Sequence, residues 1–303
     1  MNISINCKQQ MKDFTCLVTG AESGLGYAAA RGLAREGATV VMVCDNKKRA
    51  RKARVKLIEE SQNPDIDLVL VDWFSQEDIK AKAQEILHNY RSVHLLLNLA
   101  EAYFPIRKLT ANGKERNFAY NVLAPYLFTN ELSSLLMAAD GARVLNLTYE
   151  SHRLGAINFN DPGLKYNFSI RDAQRQVALA RLSWTYELNR RLSGTGIDVH
   201  AFSTGAHHPA TIQQVPRFLH WAVKMATRFW ERTSEESISA LLRLSLSDDY
   251  ERLSGKYLFK GQIVKSSPIT YNIAFNQQLW DTCATNTNST IVAYREIQEM
   301  LLS

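Results

Sequence analysis

Cysteine is scarce and scattered: Cys7, Cys16, Cys44 and Cys283 stand at unrelated spacings, with no Cys-x-x-Cys pair and no histidine cluster beside them. That argues against a disulfide framework and a zinc site, leaves no metal to expect, and makes a reducing compartment the default. Long apolar runs are missing too: nowhere do about 18 apolar residues follow one another, the length a membrane-crossing helix needs. Residues Met1 to Lys8 hold no apolar block of the kind a secretory leader carries. The expected location is therefore cytoplasmic, with a peripheral membrane contact as the only other option. The Asn-x-Ser/Thr triplets at Asn2, Asn146, Asn167 and Asn288 then carry no glycosylation meaning. Repeats and low-complexity stretches are absent as well.

What is present begins at residues 14–26. An apolar run, Phe14 to Val18, breaks into Thr19-Gly20-Ala21-Glu22-Ser23-Gly24-Leu25-Gly26 and then an Ala-rich helical pattern. Strand, tight turn and helix in that order suit a dinucleotide. Gly20 turns the chain out of the strand, Gly24 has no Cβ to obstruct a pyrophosphate, and Gly26 lets the helix approach, with its first N–H groups facing the phosphates.

Downstream, apolar strands alternate with helices. The pattern predicts strands at 39–44, 67–72, 93–98, 142–148 and 197–202, and helices over 27–36, from Lys47, over about 75–90, over 115–139 with an interruption at Pro125, and over 171–193. No composition break divides them. The expected architecture is a single α/β domain with a doubly wound, Rossmann-type parallel sheet over residues 14–275, preceded by a short tail at 1–13 and followed by a peripheral extension at 276–303 that ends in a short amphipathic helix. Asp45 closes the second strand 19 positions beyond Gly26. It stands where such folds place an acid against the adenosine ribose, or else it caps the next helix.

Two further stretches invite a partner. Between Lys47 and Lys56 seven of ten residues are basic. They form a solvated face or a grip on a 2′-phosphate, anionic lipid or nucleic acid, and the lack of interleaved aromatics argues against the last. Residues 216–232 mix aromatic and basic side chains at helical spacing, as a core-facing helix, a lid over a lipophilic ligand or a membrane-surface contact would.

Together these motifs resemble the short-chain dehydrogenase/reductase family, in particular its retinol dehydrogenase and WW-domain-containing oxidoreductase branch, over roughly residues 13–275. Thr19 to Gly26 match TGxxxGxG, Asp72 the acid that meets adenine, and Asn121 the helix asparagine of the catalytic tetrad. Arg143 to Arg153 resemble the branch's RVxxVSSxSHR, and Glu187 to Gly196 its ELxRRLxGTG. The resemblance implies NAD or NADP as cofactor, hydride exchange with a lipophilic retinoid-like or steroid-like alcohol or carbonyl, and helices suited to homo- or hetero-oligomers. Cofactor contacts are then expected from Thr19, Gly20, Ser23, Gly24, Leu25, Gly26, Asp45, Asp72 and Asn98, with Asp45 favouring NAD and Lys47 or Lys48 able to rescue NADP.

The same register exposes departures. The family holds a tyrosine four residues before a lysine on one helix face, so that the ammonium lowers the phenol's pKa, while a serine hydroxyl polarises the substrate oxygen. Here Gln174 stands at the tyrosine position, Ala178 at the lysine position and Tyr149 at the serine position, and no tyrosine in the chain has a lysine four residues on. Glu101 replaces the glycine of the family's Asn-Asn-Ala-Gly, and Thr204-Gly205 replaces its Pro-Gly. With only Asn121 retained, the primary expectation is a dinucleotide-binding protein in which carbonyl reduction is lost or nearly so, acting by binding a protein, a lipophilic ligand or a membrane surface near residues 216–232. The alternative is a rebuilt oxidoreductase site using Tyr149 with Arg153, or Tyr186 with Arg190.

Overall fold

Alternation along each apolar run decides which side of a sheet each residue serves. In β1 (Thr15–Thr19) Cys16 and Val18 join one core and Leu17 the other; in β2 (Thr39–Cys44) Val40 and Met42 join the first and Val41 and Val43 the second. Both faces are thus buried, as continuous apolar strands require. The computed structural model describes residues 11–205, 239, 241–243 and 254–291. The remaining strands are β3 (Ile66–Leu70), β4 (Leu95–Asn98), β5 (Arg143–Leu147), β6 (Asp198–Ser203), β7 (Lys256–Phe259) and β8 (Gln262–Ile263). They form one sheet in the order β3-β2-β1-β4-β5-β6-β7-β8, parallel except for the β7–β8 pair. This is the Rossmann-like α/β fold that the alternation predicts, with β7 and β8 extending it beyond the six strands expected.

The helices are α1 (Gly24–Arg35), α2 (Lys47–Ser61), α3 (Gln76–Asn89), α4 (Arg116–Phe118), α5 (Ala124–Glu131), α6 (Ser133–Met137), α7 (Ile170–Arg191) and α8 (Ile273–Thr287). Side-chain caps start several of them: Asn46, Ser75 and Ser169 accept from the N–H groups of Arg49, Asp78 and Asp172. Asn46, and not Asp45, is therefore the cap of α2, which removes the alternative reading of Asp45. The basic residues Lys47, Lys48, Arg51 and Lys52 are exposed.

The stretch expected as one helix over 115–139 is differently built. A π turn at Ala119–Leu123 joins α4 to α5, and the break falls at Leu132, between α5 and α6. Near Pro125 the helix changes its spacing without stopping: Ala124 N reaches back to Ala119 O in the wide π turn, and Pro125, which has no N–H to donate, follows directly. The boundary expected at 275/276 also fails physically. It falls inside α8, whose Leu279, Trp280 and Cys283 are fully buried against α7. Trp280 packs edge-on to Tyr126 at 4.7 Å between ring centres and donates to Thr290 Oγ1 at 2.8 Å. Burial of such a ring is worth about 3–5 kcal/mol, so this segment is part of the core. The expected segment at 216–232, residues Met1 to Lys8 and the terminal helix beyond Ile291 lie outside the described residues. Among the described residues no helix is long and apolar enough to cross a membrane, and no cluster of three metal-ligating side chains occurs.

Candidate functional site

The carboxyl end of β1 carries the glycine turn. Gly20 takes a left-handed φ of 70°, and a Cβ on Gly26 would overlap the Gly20 carbonyl oxygen, so the helix can sit this close only without a side chain there. Gly24 differs: its φ is 56°, but nothing lies within 4 Å of where a Cβ would stand. Ser23 is the N-cap of α1 yet makes no side-chain cap bond. The N–H groups of Gly24, Leu25 and Gly26 are ones an α-helix does not pair internally, and Ser23 leaves them without a side-chain cap, which suits an anion. Behind them Thr19 is buried, and its Oγ1 accepts from Leu99 N and Ala100 N, both at 2.9 Å, tying β1 to the exit of β4.

Beyond the ends of β2 and β3 lies a cavity of about 510 Å³ whose lining includes Asp45, Arg49, Asp72, Asp78, Trp73 and Tyr120. Asp45 and Asp72 are exposed to it. Asp72 Oδ1 accepts from Phe74 N at 2.9 Å, and Asp78 Oδ2 accepts from Asp72 N at 2.7 Å. Glu22 is turned beneath this edge. Burial, followed by the neighbouring Asp45 charge, raises its carboxyl, and Arg49 answers it at 3.8 Å.

The Asn98 amide donates to Asn146 Oδ1 at 2.8 Å and Thr129 Oγ1 at 3.0 Å, bracing β4 against β5 and α5, while its Oδ1 has no hydrogen-bond partner among the described residues. Asn121 is likewise committed. It accepts from Ala102 N at 3.1 Å and donates to Ala102 O at 2.6 Å and to Asn117 O at 2.9 Å. Asn117, one turn earlier, holds Phe104 N and O in the same way, at 2.8 and 3.0 Å. Four residues of helix rise about as far as two residues of extended chain, so the pair clamps the loop after β4 at alternate residues.

That loop presents Glu101 to Tyr149. The phenol donates to Glu101 Oε2 in a very short hydrogen bond. Burial first, and the Glu101 carboxylate second, push the Tyr149 phenol well above its ordinary range, while the Arg181 charge acts in the opposite sense. Tyr103, raised by burial, borders the same carboxylate. Arg181 is buried on α7 and donates to three main-chain oxygens: Asn121 at 2.6 Å, Ala100 at 2.7 Å and Leu147 at 3.2 Å. Gln174 is half-buried on the same helix, and the carbonyl of fully buried Ala178 accepts from Thr148 Oγ1 at 2.8 Å.

Neither rebuilt pair expected from spacing is assembled. Arg153 binds Glu150 at 2.9 Å and the Lys265 carbonyl at 2.8 Å; Arg190 binds Glu187, and the Tyr186 hydroxyl meets Ser266 Oγ at 2.9 Å. The reason is geometric, since an arginine four residues on points along its own segment to the nearest acceptor. The cation brought near Tyr149 is Arg181, three residues beyond Ala178 and seven beyond Gln174. A search along that helix face for any cation, instead of a lysine at a fixed offset, finds it.

The family described as short chain dehydrogenase matches residues 15–159. Retinol dehydrogenase 12 of Bos taurus is 30% identical over 266 residues, covering 88% of this chain and 83% of that protein. Human polyprenol dehydrogenase is 28% identical over 277 residues, with the same shares covered. Among solved structures, an uncharacterised protein from Mycobacterium paratuberculosis shares the fold with a TM-score of 0.76 at 24% identity, over 93% of this chain and 96% of that one. A short chain dehydrogenase from Escherichia coli CFT073 complexed with NADPH shares it with a TM-score of 0.65 at 19% identity, over 84% and 99%. Kinship at 30% identity over most of both chains makes this chain a member of the short-chain dehydrogenase/reductase family.

Proposed function

We propose that the protein is an NAD-dependent oxidoreductase of lipophilic alcohols whose proton relay is Tyr149 and Glu101 in place of a tyrosine and lysine. The observation that carries this is the Tyr149–Glu101 hydrogen bond with the Arg181 guanidinium beside it. Retinol and polyprenol dehydrogenases among the relatives support the substrate class, which comes from kinship alone.

The residues fit a dinucleotide. The close Gly20–Gly26 contact and the open side of Gly24 suit a pyrophosphate, with Thr19 bracing the turn and Ser23 and Leu25 at the helix start. Asp45 and Asp72 suit the adenosine end. Acids outnumber the single Arg49 around that cavity, and Arg49 is itself drawn to Glu22, which favours a free ribose hydroxyl over a 2′-phosphate. The nicotinamide, when bound, supplies the hydride acceptor.

The chain's own groups handle the proton. An alcohol hydroxyl held at Tyr149 Oη passes its proton to that oxygen as the phenol proton moves to Glu101 Oε2. A phenol raised in pKa is a poor acid by itself, so the arrangement favours oxidation of an alcohol, in which the carboxylate takes up the proton, over reduction of a carbonyl. A relay of this kind contributes about 10²–10⁴ in rate.

A second reading, dinucleotide binding without turnover, is supported by Gln174 and Ala178, since α7 offers neither phenol nor ammonium at the family's positions. The test is to titrate NAD and NADP and then follow nicotinamide absorbance with retinoid, steroid and polyprenol alcohols. Turnover with NAD that falls about 10²-fold or more in Tyr149→Phe and in Glu101→Gln supports the rebuilt relay. Binding with no turnover supports the second reading, and unchanged turnover in both variants rules the relay out.

A further inference from the structure

In the sheet, β1 lies between β2 and β4, and the winding reverses there. Open α/β folds bind ligands in the crevice outside the carboxyl end of such a point. Asp45 follows β2, whereas Tyr120 belongs to the π turn downstream of β4. Both residues line the cavity beyond the ends of β2 and β3, so a bond between them lies across the adenosine end of the crevice. The Tyr120 hydroxyl donates to Asp45 Oδ2 at 2.7 Å.

The phenol is held there from several sides. Its ring packs on Phe74 and Phe104, with centres 5.4 and 6.3 Å away, and the Arg116 guanidinium sits over both phenylalanines at 4.4 and 4.2 Å. The wide π turn sets both Tyr120 and Asn121, a backbone device that recurs at functional sites. Burial, and then the Asp45 charge, raise the phenol well above its ordinary range, so it remains a hydrogen-bond donor to the carboxylate.

We infer that Tyr120 is a strap across the adenosine end of the crevice, and that a nucleotide ribose reaches Asp45 by displacing the Tyr120 hydroxyl. Tyr120 is then an affinity-setting residue. The inference rests on the dinucleotide reading above, and it concerns occupancy, not turnover. A ribose whose two hydroxyls take both Asp45 oxygens has to displace the phenol from Oδ2, so affinity in the wild-type chain is reduced by the strength of that one charge-assisted bond.

The test uses the full chain and three variants, Tyr120→Phe, Tyr120→Val and Asp45→Ala, titrated with NADH, adenosine monophosphate and nicotinamide mononucleotide by thermal shift and calorimetry. Tyr120→Phe keeps the ring and removes only the bond, and it should bind NADH and adenosine monophosphate roughly three- to thirtyfold more tightly than wild type. Nicotinamide mononucleotide, which does not reach Asp45, should respond equally in both. Asp45→Ala loses the strap and the ribose acceptor together and should gain nothing. A folded Tyr120→Phe that binds adenosine monophosphate as weakly as wild type, or more weakly, overturns the strap, and it decides the matter even if Tyr120→Val does not fold. Tighter binding without turnover keeps the strap and rejects the oxidoreductase reading. Failure of every variant to take up any of the three ligands rejects the strap and the dinucleotide reading together.

Discussion

The Arg181 guanidinium donates to the main-chain oxygen of Asn121 at 2.6 Å, joining α7 to the π turn across the floor of the candidate site. The same side chain reaches Ala100 and Leu147, so one buried cation gathers the ends of β4 and β5 and the asparagine turn. Arg181→Met leaves three buried carbonyls without that donor and should destabilise the protein by about 3 kcal/mol, a fall of roughly 5–10 °C in Tm. Arg181→Lys keeps the charge without the planar fork and should fall between. Calorimetric melts check this, and a Met variant melting with the wild type would mean the three bonds carry no net stability.

Gly26→Ala and Gly24→Ala should separate packing from binding. At Gly26 a methyl group meets the Gly20 carbonyl, so that variant should lose about 1–3 kcal/mol from overpacking. At Gly24 there is space but a left-handed backbone, at about 1–2 kcal/mol, and the methyl projects into the open side proposed for the pyrophosphate. Urea titrations should rank Gly26→Ala as the less stable, and NADH titration should show Gly24→Ala weakened by about tenfold or more at a stability closer to wild type.

Asp45→Arg should move cofactor preference from NAD toward NADP. The substitution removes the acceptor for a free ribose hydroxyl and adds a cation among Glu22, Asp72 and Asp78. The ratio of the two affinities is the readout; an unchanged ratio would mean that the ribose binds elsewhere.

Stability should depend on pH through His200. It is fully buried in β6, neither ring nitrogen finds a partner among the described residues, and burial, followed by the Arg143 and Lys256 charges, lowers it to about 4. The unfolded chain, titrating near the ordinary histidine value of about 6.5, binds the proton first as pH falls. Stability is thus complete above the unfolded value and declines through the window down to the folded value, by about 3 kcal/mol in all. His200→Leu should flatten that part of a stability profile measured from neutral to mildly acidic pH and lose nothing at neutral pH. A profile as steep as the wild type would place the titration on another group.

Much of the fold was legible because its signals are local. Strand positions follow from side chains alternating between two buried faces, and the glycine turn follows from backbone angles and contacts that only glycine allows. The absence of a tyrosine and lysine pair on α7 was legible for the same reason, since four residues on a helix share a face wherever that helix packs. Local spacing misled where a contact was non-local. It proposed Arg153 and Arg190, which turn to nearby carboxylates, and it took residues after 275 as peripheral, although Trp280 docks on Tyr126 more than a hundred positions away in sequence.

By itself, then, the sequence determined the parallel sheet and its glycine turn, both of them consequences of periodicity and backbone sterics within short windows. Only the tertiary structure decided that Glu101 meets Tyr149, that Arg181 lies beside them, and that Tyr120 reaches Asp45. Each of those pairs joins segments brought together by the parallel winding of the sheet, and hydrogen-bond partners so far apart in the chain leave no mark in residue spacing.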